Sequence, residues 1–173
     1  MSIKHDYDLK WSSSQVKAED GTKISMLAAE IMEFMIVHPL FLELPRSTKI
    51  TVEFVDSILG TDGVTKAHGC ATVPCLPDNT IAPPYGHLKI DLNIFEVDQK
   101  LFRETMFHEL IHIHQVQRGD MWVSPIGRGQ NVDMWKGKAY GPKFPYARHP
   151  WEMEANEKAE ILDAEFVSQL EEA

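Results

Sequence analysis

The stretch from Gln99 to Arg118, bounded by Asp98 and Gly119, contains neither proline nor glycine, and it constrains the fold more than any other part of the chain. Phe102, Met106, Leu110 and Ile113 recur at helical spacing, on a side where a core can take them. Asp98 has the side chain of an N-cap, and Gly119 stands where a glycine closes a helix. In the middle of this helix comes His108-Glu109-Leu110-Ile111-His112. Residues four apart stack on one helical face, so His108 and His112 can aim two imidazoles at one metal ion while Glu109 flanks it. Thr105 and Gln115 share that face, where Gln115 either hydrogen-bonds a ligand or lines a cleft, or simply meets solvent. His114 points nearly opposite and reads as a packed or surface histidine, not a ligand.

The rest of the chain must supply a core and a third ligand. At 173 residues, 43% hydrophobic and 25% charged, the sequence suits a single domain spanning 1–173. A net charge of -9 and the lack of any basic block argue against a nucleic-acid partner. The N-terminus has no apolar leader, and the longest apolar stretch, Phe34 to Leu44, is interrupted by His38, Pro39 and Glu43. The expectation is a soluble, unsecreted, cytoplasmic protein with no membrane partner. Cys70 and Cys75 are too few for a disulfide scaffold and read as thiols.

Residues 1–20 look polar and aperiodic, a loosely held arm. A first helix is expected from about Ile24 to Val37, with Leu27, Ile31, Phe34 and Met35 on its apolar face and Pro39 as its stop. Lys49 to Ile58, Thr65 to Val73 and Leu88 to Leu92 read as strands of a small, mostly antiparallel sheet. Residues 119–149 form a long connection rich in Gly, Pro and aromatic residues, too aromatic for disorder. Pro150, allowed at the first helical position, announces a last helix through Ala155, Ala159, Leu162, Phe166 and Leu170. The fold class expected is α+β, with an N-terminal helix, a small sheet, the histidine-bearing helix and a C-terminal helix.

A catalytic zinc site takes three protein ligands and keeps a position open, so two histidines need one more partner. Downstream, Pro150-Trp151-Glu152-Met153-Glu154-Ala155-Asn156 offers two carboxylates in the first turn of a helix. Acidic residues in a first turn also simply complement the helix dipole. Beside the histidine pair, however, Glu152 and Glu154 are the most economical source of a ligand.

This pairing resembles the gluzincin class of zinc metallopeptidases, in which His-Glu-x-x-His on one helix is completed by a Glu on a later one. Glu152 to Asn156 is similar to the Glu-x-x-Ala-Asp/Asn form of several such families, ImmA/IrrE-type proteins among them. The likeness covers about Asp98 to Phe166 and implies a minimal zincin domain, in keeping with small cytoplasmic or phage-encoded metallopeptidases. It also implies one zinc ion held by His108, His112 and Glu152, with Glu154 as the fallback ligand. Asn156 would support a ligand histidine, although an amide brings no charge where the family often has Asp. The activity implied is peptide-bond hydrolysis of a peptide or protein substrate, with Glu109 accepting a proton from zinc-bound water. An electrophilic partner for the oxyanion is expected just before the last helix: Tyr146 first, then Tyr140, Arg148 or His149. Leu88 to Leu92 would be the edge strand that receives an extended substrate.

Two rivals remain. Gly69-Cys70-Ala71-Thr72 resembles the turn that supplies a cysteine ligand in peptide deformylases, which would make Cys70 the third ligand, although the deformylase helix has Asp where Ile111 stands. A non-catalytic zinc module is the other. Structural sites are usually closed by four ligands, often cysteines, and such a site has no use for Glu109.

Overall fold

The computed structural model describes residues 4–13, 18–59, 63–73, 83–127 and 130–173. The fold is α+β. Strand β1 (Asp6–Trp11) is followed by helix α1 (Ala18–Val37), the short helix α2 (Pro39–Leu42) and strand β2 (Lys49–Val55). Three short strands come next: β3 (Ile58–Leu59), β4 (Lys66–Ala67) and β5 (Gly69–Thr72). Strand β6 (Tyr85–Asp91), helix α3 (Asn93–Val97) and the long helix α4 (Gln99–Arg118) lead to three strands, β7 (Met121–Gly127), β8 (Gln130–Trp135) and β9 (Lys138–Tyr140). A 3-10 turn at Tyr146–Arg148 then runs into α5 (Pro150–Glu172).

The main sheet has the order β1-β2-β6-β5, with β1 and β6 parallel to β2 and β5 antiparallel to β6. Ile50, Val52 and Phe54 of β2 lie in register with Gly86, Leu88 and Ile90 of β6, and this face is buried. The opposite face carries Lys49, Glu53, Tyr85 and Lys89. A sheet covered on one side alternates apolar and polar residues whichever way its strands run, so alternation carries no information about direction. Among the described residues four of the six pairings are antiparallel, but the main sheet, expected to be mostly antiparallel, is mixed, with two of its three pairings parallel. The reason is α1, a crossover between β1 and β2, which lets those two strands run parallel.

Three expectations are corrected. Residues 6–11, assigned to an arm, form edge strand β1; Tyr7, Leu9 and Trp11 alternate with Asp6, Asp8 and Lys10. Helix α1 starts at Ala18 rather than Ile24, and Glu19 and Asp20 complement its dipole in the first turn. Leu88–Leu92 is not at an edge, because β6 lies between β2 and β5; the edge near α4 is β5. Cys75 lies outside the described residues.

Both ends of α4 follow the sequence reading. The Asp98 carboxylate accepts hydrogen bonds from the backbone N–H of Lys100 (2.8 Å) and Leu101 (3.2 Å), and Gly119 closes the helix at φ 83°. Phe102, Met106, Leu110 and Ile113 are all fully buried, so α4 is pressed onto the sheet. Two glycines make that approach possible. A Cβ at Gly86 would lie 2.5 Å from Ile113 Cδ1, and one at Gly69 would lie 2.7 Å from Glu109 Cγ. Phe34, Phe107 and Phe166 join α1, α4 and α5 through edge-on ring contacts of 5.6–5.9 Å. Arg103 of α4 holds Asp163 of α5 with two hydrogen bonds, of 2.5 and 3.2 Å.

The long connection is not irregular: it folds as an antiparallel sheet, β7-β8-β9. Lys136 and Gly137 turn β8 into β9 with positive φ of 47° and 85°, the geometry of a tight hairpin. Trp135 packs 6.4 Å from Trp151 at the start of α5. No helix among the described residues is long and apolar enough to cross a membrane.

Candidate metal centre

His108 and His112 lie one turn apart on α4, and Glu152 enters from the first turn of α5, the helix packed most extensively against α4. His108 Nε2 lies 2.9 Å from His112 Nε2. The Glu152 carboxylate places Oε2 3.2 Å from His108 Nε2 and Oε1 3.4 Å from His112 Nε2. A ligand atom from each residue falls within 4.8 Å of the others. Donors around a tetrahedral ion with arms of ~2.05 Å stand about 3.3 Å apart, so the spacing suits zinc. The donor set, two imidazoles and one carboxylate, is also that of an open catalytic site.

Gln115 orients one of these histidines. It is fully buried, and its amide group donates to the Trp151 carbonyl and to Glu154 Oε2, both at 2.9 Å. Its own oxygen therefore faces His112, where Nδ1–H donates at 2.9 Å. With Nδ1 protonated, the Nε2 lone pair of His112 is left for the centre. The sequence reading had left Gln115 open between such a role and solvent.

Asn156, expected to support a ligand histidine, is exposed on the cleft wall, and no hydrogen bond joins it to either histidine among the described residues. Glu154, the fallback ligand, turns away from the histidines toward Gln115, Lys158 and Arg118. Cys70 is not part of the converging group, and desolvation together with the Glu109 charge pushes its thiol up. His114 is 1% exposed and packed on Phe41, 5.9 Å between ring centroids; burial, helped by the Arg118 and Lys158 charges, lowers it to about 4.

The charges at the centre divide by environment. Burial raises Glu109, the Glu152 charge adds to that, and the two histidines and a hydrogen bond with the Ala71 backbone oppose it; the net direction is upward. Burial also pushes Glu152 upward, but hydrogen bonds with His108, His112 and Tyr146 outweigh it and hold this carboxyl well below the usual carboxylate range. His112 is raised on balance: burial lowers it, and the bond and charge of Glu152 overcome the loss. Two neighbouring carboxylates are thus driven apart, Glu152 toward the anion and Glu109 toward a stronger base.

Tyr146 is 69% exposed, and its hydroxyl is hydrogen-bonded with Glu152. Desolvation at that end, the Glu152 charge and hydrogen bond, and Glu109 all push the phenol up, so it stays a proton donor. Of the other candidates, His149 is stacked between Phe144 (5.4 Å) and Trp151 (4.3 Å), and Tyr140 stands edge-on to Trp151 at 5.4 Å. Arg148 is exposed on the 3-10 turn.

A cleft of about 470 Å3 opens beside His108 and Glu109, with His68 and Gly69 on its sheet side and Asn156 and Glu160 on α5. A slightly larger hollow, about 520 Å3 along Gly141–Pro145, is lined by none of the candidate residues. No family model matches the chain, and neither a curated protein nor a solved structure matches it.

Proposed function

We propose that this chain is a zinc-dependent metallopeptidase of the gluzincin kind, acting on peptide bonds of a peptide or protein substrate, with the cytoplasm as its place of work. The observation that carries the reading is the convergence of His108, His112 and Glu152 within 4.8 Å, next to a buried Glu109 and an open cleft. A zinc ion held by these three residues supplies Lewis acidity, polarising a carbonyl and making water a usable nucleophile near neutral pH. Glu109, raised by burial, accepts the proton of the attacking water and returns it to the leaving amine. Glu152, kept ionised, would be the one anionic ligand beside two neutral imidazoles. Tyr146 keeps its proton and donates a hydrogen bond to the oxygen on which negative charge develops. Gly69 lets the β5 backbone close against Glu109, so one wall of the site is main chain.

The test pairs metal analysis with turnover. The wild type should hold one zinc ion and cleave an unfolded protein, and Glu152→Ala should lose the metal. Glu109→Gln should keep zinc while cleavage falls by about 10²–10⁴-fold. Wild-type turnover in Glu109→Gln, or full zinc content in Glu152→Ala, removes the proposal.

A further inference from the structure

Gln115 has two amide protons and one carbonyl oxygen, and all three are committed. The protons go to the Trp151 carbonyl and to Glu154 Oε2, at 2.9 Å each, and the oxygen faces His112 Nδ1 at 2.9 Å. Were the amide turned over, its oxygen would face two acceptors, one of them a carboxylate. The orientation of Gln115 thus rests on the Trp151 carbonyl and on Glu154, whose charge makes it the stronger acceptor, from a helix 36 and 39 residues further along the chain.

Glu154 is itself pinned. Its other oxygen stands 3.1 Å from Lys158 Nζ and 3.4 Å from an Arg118 nitrogen, with Lys136 Nζ at 4.0 Å. Lys158 lies one turn along α5, and Arg118 closes the last turn of α4. Three cations from three elements thereby fix a carboxylate whose second oxygen is left for Gln115. Glu154 lies beyond the first turn of α5, where only Glu152 complements the helix dipole, so its fully buried amide partner needs another reason.

We infer that Glu154 is a positioning residue for the metal centre, acting through Gln115 on His112. The inference rests on the metal-centre reading above and concerns a residue that reaches no metal. By accepting from Gln115, Glu154, together with the Trp151 carbonyl, holds the amide oxygen toward His112 Nδ1–H and leaves Nε2 as the nitrogen facing the centre. Its charge also polarises the amide, making the Gln115 oxygen a stronger acceptor and His112 Nε2 a better donor to a metal.

The experiment is a zinc competition titration of the full chain against a chromophoric chelator, with wild type, Glu154→Gln, Glu154→Ala, Gln115→Leu and the Glu154→Gln/Gln115→Leu double variant. Gln115→Leu should weaken zinc by about 10–100-fold, and both Glu154 variants by about tenfold. In the Gln115→Leu background the Glu154 change should cost nothing further. A Glu154 that merely ties α4 to α5 would lower the melting temperature of the metal-free protein and weaken zinc equally in both backgrounds. Nitrogen NMR of metal-free protein supplies a readout independent of zinc: the His112 Nδ1–H held by Gln115 should give a protected, hydrogen-bonded signal in the wild type that is weakened in both Glu154 variants. Wild-type zinc affinity in the Glu154 variants overturns the inference, as does an equal loss in both backgrounds. If the wild type binds no zinc, the metallopeptidase reading fails by itself, and an unchanged His112 Nδ1–H signal in the Glu154 variants then overturns this one.

Discussion

His114 is a buried histidine held neutral by the fold, and replacing it by leucine should change how stability depends on pH. Burial comes first among the causes, followed by the Arg118 and Lys158 charges, and together they lower the group from 6.5 to about 4. Above pH 6.5 the residue is neutral folded and unfolded, and its titration costs nothing. As pH falls below 6.5 the unfolded chain takes up a proton that the folded one refuses, so stability is lost progressively until about pH 4 and no further below. At about 1.4 kcal/mol per unit, the loss is about 2 kcal/mol at pH 5 and about 3 kcal/mol in full. For a chain of this length, 2 kcal/mol is about 5 °C in melting temperature. The assay is urea and thermal denaturation of metal-free wild type and His114→Leu from pH 7.5 to pH 4.5, with chelator present so that loss of a metal ion does not enter. Groups common to both proteins cancel in the difference. Wild type should fall relative to the variant by about 2 kcal/mol between pH 7 and pH 5. Parallel curves would refute the argument that this imidazole is buried uncharged.

Three further outcomes are expected. Gly69→Ala places a Cβ 2.7–2.8 Å from Glu109 and Thr105 atoms; it should cut kcat by about tenfold or more while zinc content holds, as read from steady-state kinetics with metal analysis, and unimpaired turnover would show the wall is not tight. Tyr146→Phe should lower kcat by about 10²-fold and leave zinc affinity and KM nearly unchanged; a rise in KM alone would make Tyr146 a binding residue. Phe107→Ala opens the junction of α1, α4 and α5 and should cost about 3–5 kcal/mol in denaturant unfolding, whereas a loss under 1 kcal/mol would mean the three helices are not held there.

How much was legible depended on how local each signal was. Asp98 and Gly119 marked the ends of α4 because capping acts over three or four residues. His108 and His112 converge because the helix repeat places them together, whatever surrounds them. Strand β1 carried its alternation openly in Tyr7, Leu9 and Trp11, but six such residues beside a polar N-terminus look the same as a tail until β2 pairs with them. The β8–β9 hairpin turns at Lys136-Gly137, where the lysine takes a left-handed conformation more usual for Asn, Asp or Gly, and so gave no strong turn signal.

By itself the amino-acid sequence determined the α+β class, the histidine-bearing helix with its limits, and a short list of carboxylates from which a third ligand could come. Tertiary structure alone decided that Glu152 faces the histidines while Glu154 faces Gln115, since both occupy one turn of α5 and only the packing of α4 against α5 tells them apart. The same packing chose Gln115 over Asn156 as the support of His112, through partners 36 and 39 residues distant. Helical periodicity is written every few residues, whereas the meeting of two helices is a property of the whole core, and the pairing of side chains across it has no local signature.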